Sequence, residues 1–127
     1  AGLRTDVTRE QLARAAVDGV VCGLIDGLDA LRSHTTVSGR VHLVGGGARS
    51  EAIRRVIAGL LDLEVVQGDV DEAVATGACV QAAAVFEQVS HDVIQPRWGL
   101  GGGVTVEGVA GGDIRERYAR VRDGVDD

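Results

Sequence analysis

Lysine and methionine are both missing from this sequence of 127 residues, which contains one Phe, one Trp and one Tyr. Without lysine the chain has neither the phosphate-binding lysine of a P-loop nor a lysine able to form a Schiff base. With so few aromatic residues, the core must be built from Val, Leu, Ile and Ala. Residue 1 is Ala rather than Met, so we expect a processed or truncated chain that was cut from a longer protein.

The charge balance and the remaining absences exclude several classes of partner. A formal net charge of -6 argues against nucleic acid and anionic membrane as partners. The sequence has no apolar run of the roughly 18 residues that a membrane helix needs, and no signal peptide is visible in it. Cys22 and Cys79 lack metal-type spacing, so we expect both to be free and buried in helices, in a reducing cytoplasm.

The first predicted element is a long helix over residues 8–32. It starts at the capping-box pair Thr8 and Gln11, whose side chains can each bond a free N–H group of the helix start. Glycines at 19, 23 and 27 predict the close approach of a neighbouring element, unless they only reflect a composition of 19 Gly. Apolar residues at three- and four-residue steps predict a broad inner face: Leu12, Ala16, Val20, Leu24, Leu28 and Leu31, widened by Val17, Val21 and Ile25.

The rest of the chain alternates between short strands and helices. The predictions are a strand at 40–44, a helix capped by Ser50, a strand at 64–67, a helix over 72–89 capped by Asp69 or Asp71, a loop over 90–112 with a weak strand at 104–106, and a helix from Asp113 to about Arg122. This alternation predicts the α/β class with a partly parallel sheet. Because two or three strands make a poor sheet alone, we expect a truncated sheet with packed helices.

Three consecutive glycines, Gly45, Gly46 and Gly47, join the first strand to the next helix. Glycine permits positive φ and a close approach of the backbone to a ligand. The free N–H groups and the dipole of a helix start favour an anion there, and Arg49 adds a full positive charge. The motif predicts a phosphate-binding turn, although a glycine-rich turn is as often a simple tight connection.

A dinucleotide-binding turn is the alternative interpretation of these glycines. The spacing of Gly45, Gly47 and Ser50 nearly fits the Gly-x-Gly-x-x-Gly pattern, and Asp69 follows near the expected distance. However, the third glycine is missing, and that kind of unit does not begin with a long helix. A dinucleotide-dependent oxidoreductase fragment therefore stays open as an alternative, as does a non-catalytic nucleotide-binding or interaction module.

Other charged residues have structural explanations. Asp69, Asp71 and Glu72 could indicate a metal, but caps and first-turn carboxylates account for them without one. The three histidines are far apart in sequence. We therefore expect no catalytic residue and no metal ligand in this chain. Solvated helix faces are predicted for six arginines: Arg54, Arg55, Arg115, Arg117, Arg120 and Arg122.

Four blocks of sequence carry a resemblance to a known family. They are 8–20 with 26–31, the Val-Gly-Gly-Gly-Ala-Arg-Ser-Glu stretch at 44–51, the small-residue stretch at 75–83, and 117–121. In this order they resemble the long helix, the adenosine-phosphate loop, the following helix and the closing helix of the FGGY carbohydrate kinases. Within that family the chain is most similar to the xylulose kinases.

This resemblance implies a fold and an ATP site. The fold would be part of the C-terminal lobe of an actin-like ATPase (ribonuclease H-like), in which ATP lies between two lobes. Gly46 and Gly47 would lie against the α-phosphate and ribose of ATP or ADP, and Ala48 and Glu51 near the adenine. Gly45 and Arg49 would complete this nucleotide-binding segment.

The same resemblance implies what residues 1–127 would lack. They would be a partial C-terminal, ATP-binding domain without the N-terminal sugar-binding lobe, so Mg²⁺, the sugar and the catalytic aspartate would be held mainly elsewhere. The full protein would be a cytoplasmic sugar kinase whose partners are ATP and a sugar, with xylulose the expected substrate. We expect this chain to be inactive alone and to self-associate through apolar surface that its missing parts would cover.

Overall fold

Helices and strands alternate along residues 4–124, the part of the chain that the computed structural model describes. The elements are α1 (Arg9–Arg32), β1 (Arg40–Leu43), a 3₁₀ turn (Gly46–Arg49), α2 (Glu51–Leu60), β2 (Glu64–Gly68), α3 (Ala73–Glu87), α4 (His91–Arg97), β3 (Gly103–Thr105) and α5 (Ile114–Arg122). This order confirms the predicted α/β class. Between residues 4 and 124, no helix is long and apolar enough to cross a membrane.

Helix α1 begins where the sequence predicts, because Thr8 and Gln11 form both bonds of a capping box. The backbone N–H of Gln11 donates to Thr8 Oγ1 at 3.2 Å, and that of Thr8 donates to Gln11 Oε1 at 3.0 Å. The bond to Thr8 Oγ1 satisfies one of the N–H groups that the first turn of a helix leaves free. Two residues three positions apart therefore specify this helix start locally.

The buried face of α1 differs from the predicted inner face, the leucine stripe formed by Leu12, Ala16, Val20, Leu24, Leu28 and Leu31. Val21 is fully buried and Ile25 is 5% exposed, and both pack against α2 and β2. Apolar residues surround most of α1, and the described neighbours cover one side of it, so the prediction of the inner face was wrong for the other side. The exposed residues of the leucine stripe are Ala16 and four larger ones, Leu12 at 54%, Val20 at 57%, Leu24 at 59% and Leu31 at 58%.

The close approach predicted along the glycines of α1 occurs at one of the three. A Cβ added to Gly23 would lie 3.5 Å from Tyr118 Oη, whereas one added to Gly19 or Gly27 would meet nothing within 4 Å. A tighter backbone contact lies on α2. There a Cβ on Gly59 would overlap the carbonyl oxygen of Val109, so the loop before α5 lies directly on this helix.

The sheet has the strand order β1-β2-β3. Strands β1 and β2 are parallel, with Val41 opposite Val65, and α2 connects them, so this part forms a βαβ unit. Strand β3 pairs antiparallel with β2, with Val66 opposite Thr105. The predicted partly parallel sheet is confirmed. The main core joins α1 and α2 to the sheet. It consists of Val21, Ile25, Val56, Ile57 and Val65.

Helices α3 and α4 form a second, smaller core around Val80, Ala84 and Ile94. Helix α4 lies in the segment predicted as loop, so that prediction was wrong. Ser90 caps it by accepting a bond from the N–H of Asp92 at 3.3 Å, and Pro96 lies near its end. A helix of 7 residues depends on tertiary contact more than on local sequence, and Ile94, which is fully buried, supplies that contact.

Two further predictions about α3 were wrong. The residue at its N-cap position is Glu72 rather than Asp69 or Asp71, and its side chain makes no capping hydrogen bond within the described structure. Cys79 is exposed, whereas Cys22 of α1 is buried, and this burial raises the pKa of the Cys22 thiol. Small apolar residues surround α3, so the sequence gives no polar face that would show which side is covered.

Helix α5 docks on α1 through charged side chains. Arg115 Nη1 donates to Asp26 Oδ1 at 2.7 Å and to the carbonyl oxygen of Cys22 at 3.0 Å, while its Nη2 donates to Asp29. Arg122 Nη1 donates to the second carboxylate oxygen of Asp26. Burial acts to raise the pKa of Asp26, but the bonds from Arg122 and Arg115 outweigh it and hold this pKa below its usual value. The predicted solvated face was wrong for Arg115, which is half-buried, whereas Arg122 is exposed as predicted although it pairs with Asp26.

Candidate functional site

The three glycines lie at the carboxyl edge of the parallel strand pair. Strand β1 ends at Leu43, and the chain passes through Val44 into Gly45. Strand β2 ends at Gly68 beside it, so the loop after β2 begins at the same edge. Ligands of open α/β sheets bind in this position, outside the carboxyl ends of the strands.

Gly45 has a backbone conformation that favours glycine. Its φ is 84° and its ψ is -175°, in a region that residues with a Cβ rarely adopt. This conformation turns the chain out of β1 and into the 3₁₀ turn. The first glycine of the motif is therefore needed for the path of the backbone, whether or not a ligand is bound.

Gly46 and Gly47 leave their N–H groups and the space beside them open. The first bond of the 3₁₀ turn is donated by the N–H of Ala48, to the carbonyl oxygen of Gly45 at 3.1 Å. The N–H groups of Gly46 and Gly47 precede that bond, so the turn itself gives them no acceptor. A Cβ at either glycine would meet nothing within 4 Å. A ligand anion can therefore approach the backbone closely at these two residues.

Helix α2 starts immediately after the turn, as the sequence predicts. Ser50 is its N-cap, and the Ser50 hydroxyl accepts a bond from the N–H of Ile53 at 3.4 Å. The N–H of Ser50 donates back to the carbonyl oxygen of Gly47 at 3.1 Å. Ser50 thus closes the turn and opens the helix, and it fixes the angle between the glycines and α2.

Arg54 contacts the turn directly, which the sequence analysis missed. Its Nη1 donates to the carbonyl oxygen of Ala48 at 2.7 Å, and both residues are half-buried. The prediction of a solvated helix face was therefore wrong for Arg54. An arginine one helical turn after the N-cap of α2 can reach back to the preceding turn. The spacing between Ser50 and Arg54 could therefore have predicted this contact from the sequence.

The charged side chains around the turn have both signs. Arg49 Nη2 lies 3.9 Å from Asp71 Oδ1 and 3.9 Å from Glu72 Oε1, and all three side chains are mostly exposed. Glu51 is exposed and accepts a bond from Arg55 Nη1 at 3.4 Å. Ion pairs this exposed contribute little to stability, so Arg49 is free to change partner when an anion binds. Ala48 is half-buried.

An open groove of about 360 Å³ lies beside α2 and includes one of the predicted site residues. Its lining contains Glu51, Arg54 and Arg55 from α2, Gln67 from β2, and residues 104–107. Glu51 lines this groove, whereas the other predicted site residues lie in the turn before α2 and outside the lining of the groove: Gly45, Gly46, Gly47, Ala48 and Arg49. Their role in binding nucleotide stays a prediction.

Metal binding and acid–base chemistry have no dedicated cluster in the described region. Between residues 4 and 124, no group of three or more His, Cys, Asp or Glu side chains could hold a metal ion. Asp69, Asp71 and Glu72, at the start of α3, do not form such a group. Mg²⁺ is usually held by one or two carboxylates together with water and substrate phosphates, and the described residues form no larger cluster that would hold it by protein ligands alone.

The geometry above agrees with comparisons to known proteins. Residues 1–86 match the FGGY family of carbohydrate kinases, C-terminal domain. The chain therefore belongs to the FGGY family of carbohydrate kinases.

Among curated relatives, the chain is 35% identical over 109 residues to the xylulose kinase of Streptomyces coelicolor. It is 36% identical over 109 residues to the xylulose kinase of Streptomyces rubiginosus. Each match covers 85% of this chain and 23% of the relative.

The crystal structure of xylulose kinase from Bifidobacterium adolescentis is similar in three dimensions, with a TM-score of 0.68 and 38% sequence identity. That match covers 96% of this chain and 24% of the other. The chain thus spans about a quarter of the length of the relatives that it matches. The predicted resemblance and the predicted fold class, part of the C-terminal lobe of an actin-like ATPase, are confirmed.

Proposed function

We propose that this chain supplies the adenosine and α-phosphate side of the ATP site of a carbohydrate kinase. The observation that carries the proposal is the turn at Gly45–Arg49, which leaves two glycine N–H groups open at the carboxyl edge of the sheet. Membership of the FGGY family supports ATP as the nucleotide. The similarity to xylulose kinases supports xylulose as the sugar whose hydroxyl is phosphorylated.

The chain's own residues bind and orient the nucleotide in this proposal. The N–H groups of Gly46 and Gly47 donate to the α-phosphate and the ribose, because the turn gives neither an acceptor and the Cβ positions of both glycines are open. Arg49 leaves its distant carboxylates and faces the phosphates. Ala48 and Glu51 lie beside the adenine.

We propose that the chemical step depends on groups outside this chain. Transfer of a γ-phosphoryl group to a sugar hydroxyl uses a base for the hydroxyl and Mg²⁺ to neutralise charge. The described residues form no metal cluster, so we assign the base, the metal ligands and the sugar site to another part of the full protein. This chain alone should transfer no phosphate from ATP to xylulose, and measurable turnover by it would contradict that expectation.

Calorimetric titration with ADP and with NAD tests the binding proposal. We expect ADP to bind more tightly than NAD, and Gly47→Val to weaken ADP binding by about tenfold or more, since the valine occupies the ligand's space. Gly47 tolerates a Cβ in the free protein, so the variant should stay folded. Gly27→Val, on the open side of α1, is the control and should bind ADP as the wild type does.

The outcomes separate the kinase proposal from its alternatives. Preference for NAD would favour a dinucleotide-dependent oxidoreductase fragment. If Gly47→Val left tight ADP binding unchanged, the nucleotide would bind at a site other than the glycine turn. A full-length protein that binds ADP but phosphorylates no sugar would be a non-catalytic nucleotide-binding module.

We propose further that residues 1–127 are a partial C-terminal domain, that the sugar-binding lobe lies outside this sequence, and that the full protein works in the cytoplasm. Exposed apolar residues on two helices support the proposal of a partial domain, because large apolar patches mark contact surfaces. They are Leu12, Val20, Leu24 and Leu31 on α1 and Val74, Val85 and Phe86 on α3. We expect this chain to self-associate in sedimentation experiments. A clean monomer that binds no hydrophobic dye would argue against such an interface.

A further inference from the structure

We propose that Arg54 is a positioning residue that holds the 3₁₀ turn in the conformation that receives the nucleotide, an inference that rests on the proposed function. The guanidinium of Arg54 donates to the carbonyl oxygen of Ala48 at 2.7 Å. Ala48 follows the two glycines directly, and Arg49 separates it from Ser50, the N-cap of α2. The Ala48–Arg49 peptide is one peptide removed from the Gly46–Gly47 peptide that carries an open N–H group, so a bond to the Ala48 carbonyl restrains the turn close to that group.

The carbonyl of Ala48 needs a donor from outside the turn. Within the turn, the carbonyl oxygen of Gly45 accepts from Ala48 and that of Gly47 accepts from Ser50. The next N–H groups along the chain belong to α2, where the N–H of Ile53 bonds the Ser50 hydroxyl and that of Arg54 bonds the Ser50 carbonyl at 3.1 Å. The side chain of Arg54 supplies the missing donor. Because a charged donor makes a stronger hydrogen bond than a neutral one, this contact restrains the turn effectively.

Arg54 is well placed for this role because it is itself anchored. Its backbone lies in the first turn of α2, whose inner residues Val56 and Ile57 are buried in the main core. Its side chain is half-buried, so water competes less for the bond than at an exposed site. The helix therefore restrains the glycine turn through the Arg54 side chain as well as through Ser50.

The test compares Arg54→Met and Arg54→Lys with a matched control, Arg117→Met. Arg117 also lies in the first turn of a helix and pairs with the carboxylate of Asp113 at 3.2 Å, so its removal makes the same change in charge away from the turn. For each variant we would measure amide hydrogen exchange at Ala48 and Ser50 by NMR, ADP affinity by calorimetry, and folding by circular dichroism.

For Arg54→Met we expect exchange at Ala48 and Ser50 to accelerate by about tenfold, and ADP affinity to fall by a similar factor. Arg117→Met should change neither quantity. Arg54→Lys keeps the charge but loses the planar fork of donors. Its exchange rates at the turn and its ADP affinity should therefore lie between those of the wild type and those of Arg54→Met. If Arg54→Met does not fold, the comparison of Arg54→Lys with the wild type takes its place.

Three results would contradict the role of Arg54. Unchanged exchange at the turn in Arg54→Met would show that the side chain does not hold it. If Arg54→Met loosened the turn but left ADP affinity unchanged, ADP binding would not depend on the order of the turn. If Arg54→Lys bound ADP as tightly as the wild type while the amides of the turn exchanged fast, the positive charge alone, and not the order of the turn, would support ADP binding.

Failure of the proposed function gives a different pattern. If the wild-type chain binds no ADP, the nucleotide proposal is wrong and the nucleotide part of Arg54's role is wrong with it. The exchange measurement still decides whether Arg54 holds the turn.

Discussion

Two of the contacts that helix α1 makes with other helices and strands have opposite character. Towards α2 and the sheet it presents Val21 and Ile25, which are buried in the main core. Towards α5 it presents Asp26 and Asp29, which accept bonds from Arg115 and, for Asp26, from Arg122. Helix α5 itself has no buried residue within the described region.

The difference indicates which contact is permanent and which responds to conditions. Burial of apolar surface involves no charge, so neither screening by salt nor pH near neutrality weakens it, and the α1–α2 contact should persist wherever the protein folds. Bonds between partly exposed charges weaken as salt screens them and as carboxylates take up protons. We therefore expect α5 to detach before the main core opens.

The largest expected effect comes from the apolar contact. Ile25→Ala should lower the free energy of unfolding by about 2–5 kcal/mol, because it removes buried methyl groups and leaves a cavity. Leu24→Ala, one residue earlier and 59% exposed, should cost less than about 1 kcal/mol. Urea unfolding followed by circular dichroism measures both. Equal losses would mean that the leucine stripe is covered in solution.

The charged contact should show a smaller effect. Arg115→Gln should cost about 1–2 kcal/mol, since three hydrogen bonds are lost but the side chain is 30% exposed and partly screened. Arg117→Gln, which removes an exposed pair with Asp113, should cost less than about 0.5 kcal/mol. Hydrogen exchange in α5 should rise in the first variant and stay constant in the second. The reverse order would refute the docking role of Arg115.

The smallest expected effect is a dependence on pH that Asp26 imposes. Bonds from Arg122 and Arg115 hold the pKa of Asp26 in the folded protein below its usual value. Its contribution to stability is therefore complete above the ordinary pKa of about 3.9 and is lost as the pH falls from there through the lowered pKa. The wild type should be more stable than Asp26→Asn at pH 6, and the difference should shrink below about pH 4. A constant difference across this range would contradict the pairing.

Features that depend on neighbouring residues could be predicted from the sequence. The capping box of Thr8 and Gln11 and the cap of Ser50 operate within three residues, and both are confirmed. The parallel pairing of β1 with β2 followed from the strand–helix–strand order. The path of the glycine turn was also readable, because positive φ at Gly45 is a local requirement of that motif.

Features that depend on distant partners could not be predicted. The partners of Arg115 lie 86 to 93 residues earlier, so its helix looked solvated. Apolar residues on several sides of α1 left the choice of buried side to its neighbours. Helix α4 was missed because the burial of Ile94 against α3, rather than helix propensity, stabilises a segment containing Pro96.

The long-range bonds between α5 and α1 also have a consequence for the order of folding. Arg122 and Asp26 are separated by 96 residues, and closing so large a loop costs more entropy than closing a short one. The β1–α2–β2 unit joins residues that are close in sequence, so it can assemble first. We therefore expect α5 to dock in a late step of folding, onto an α1 that is already packed against the sheet.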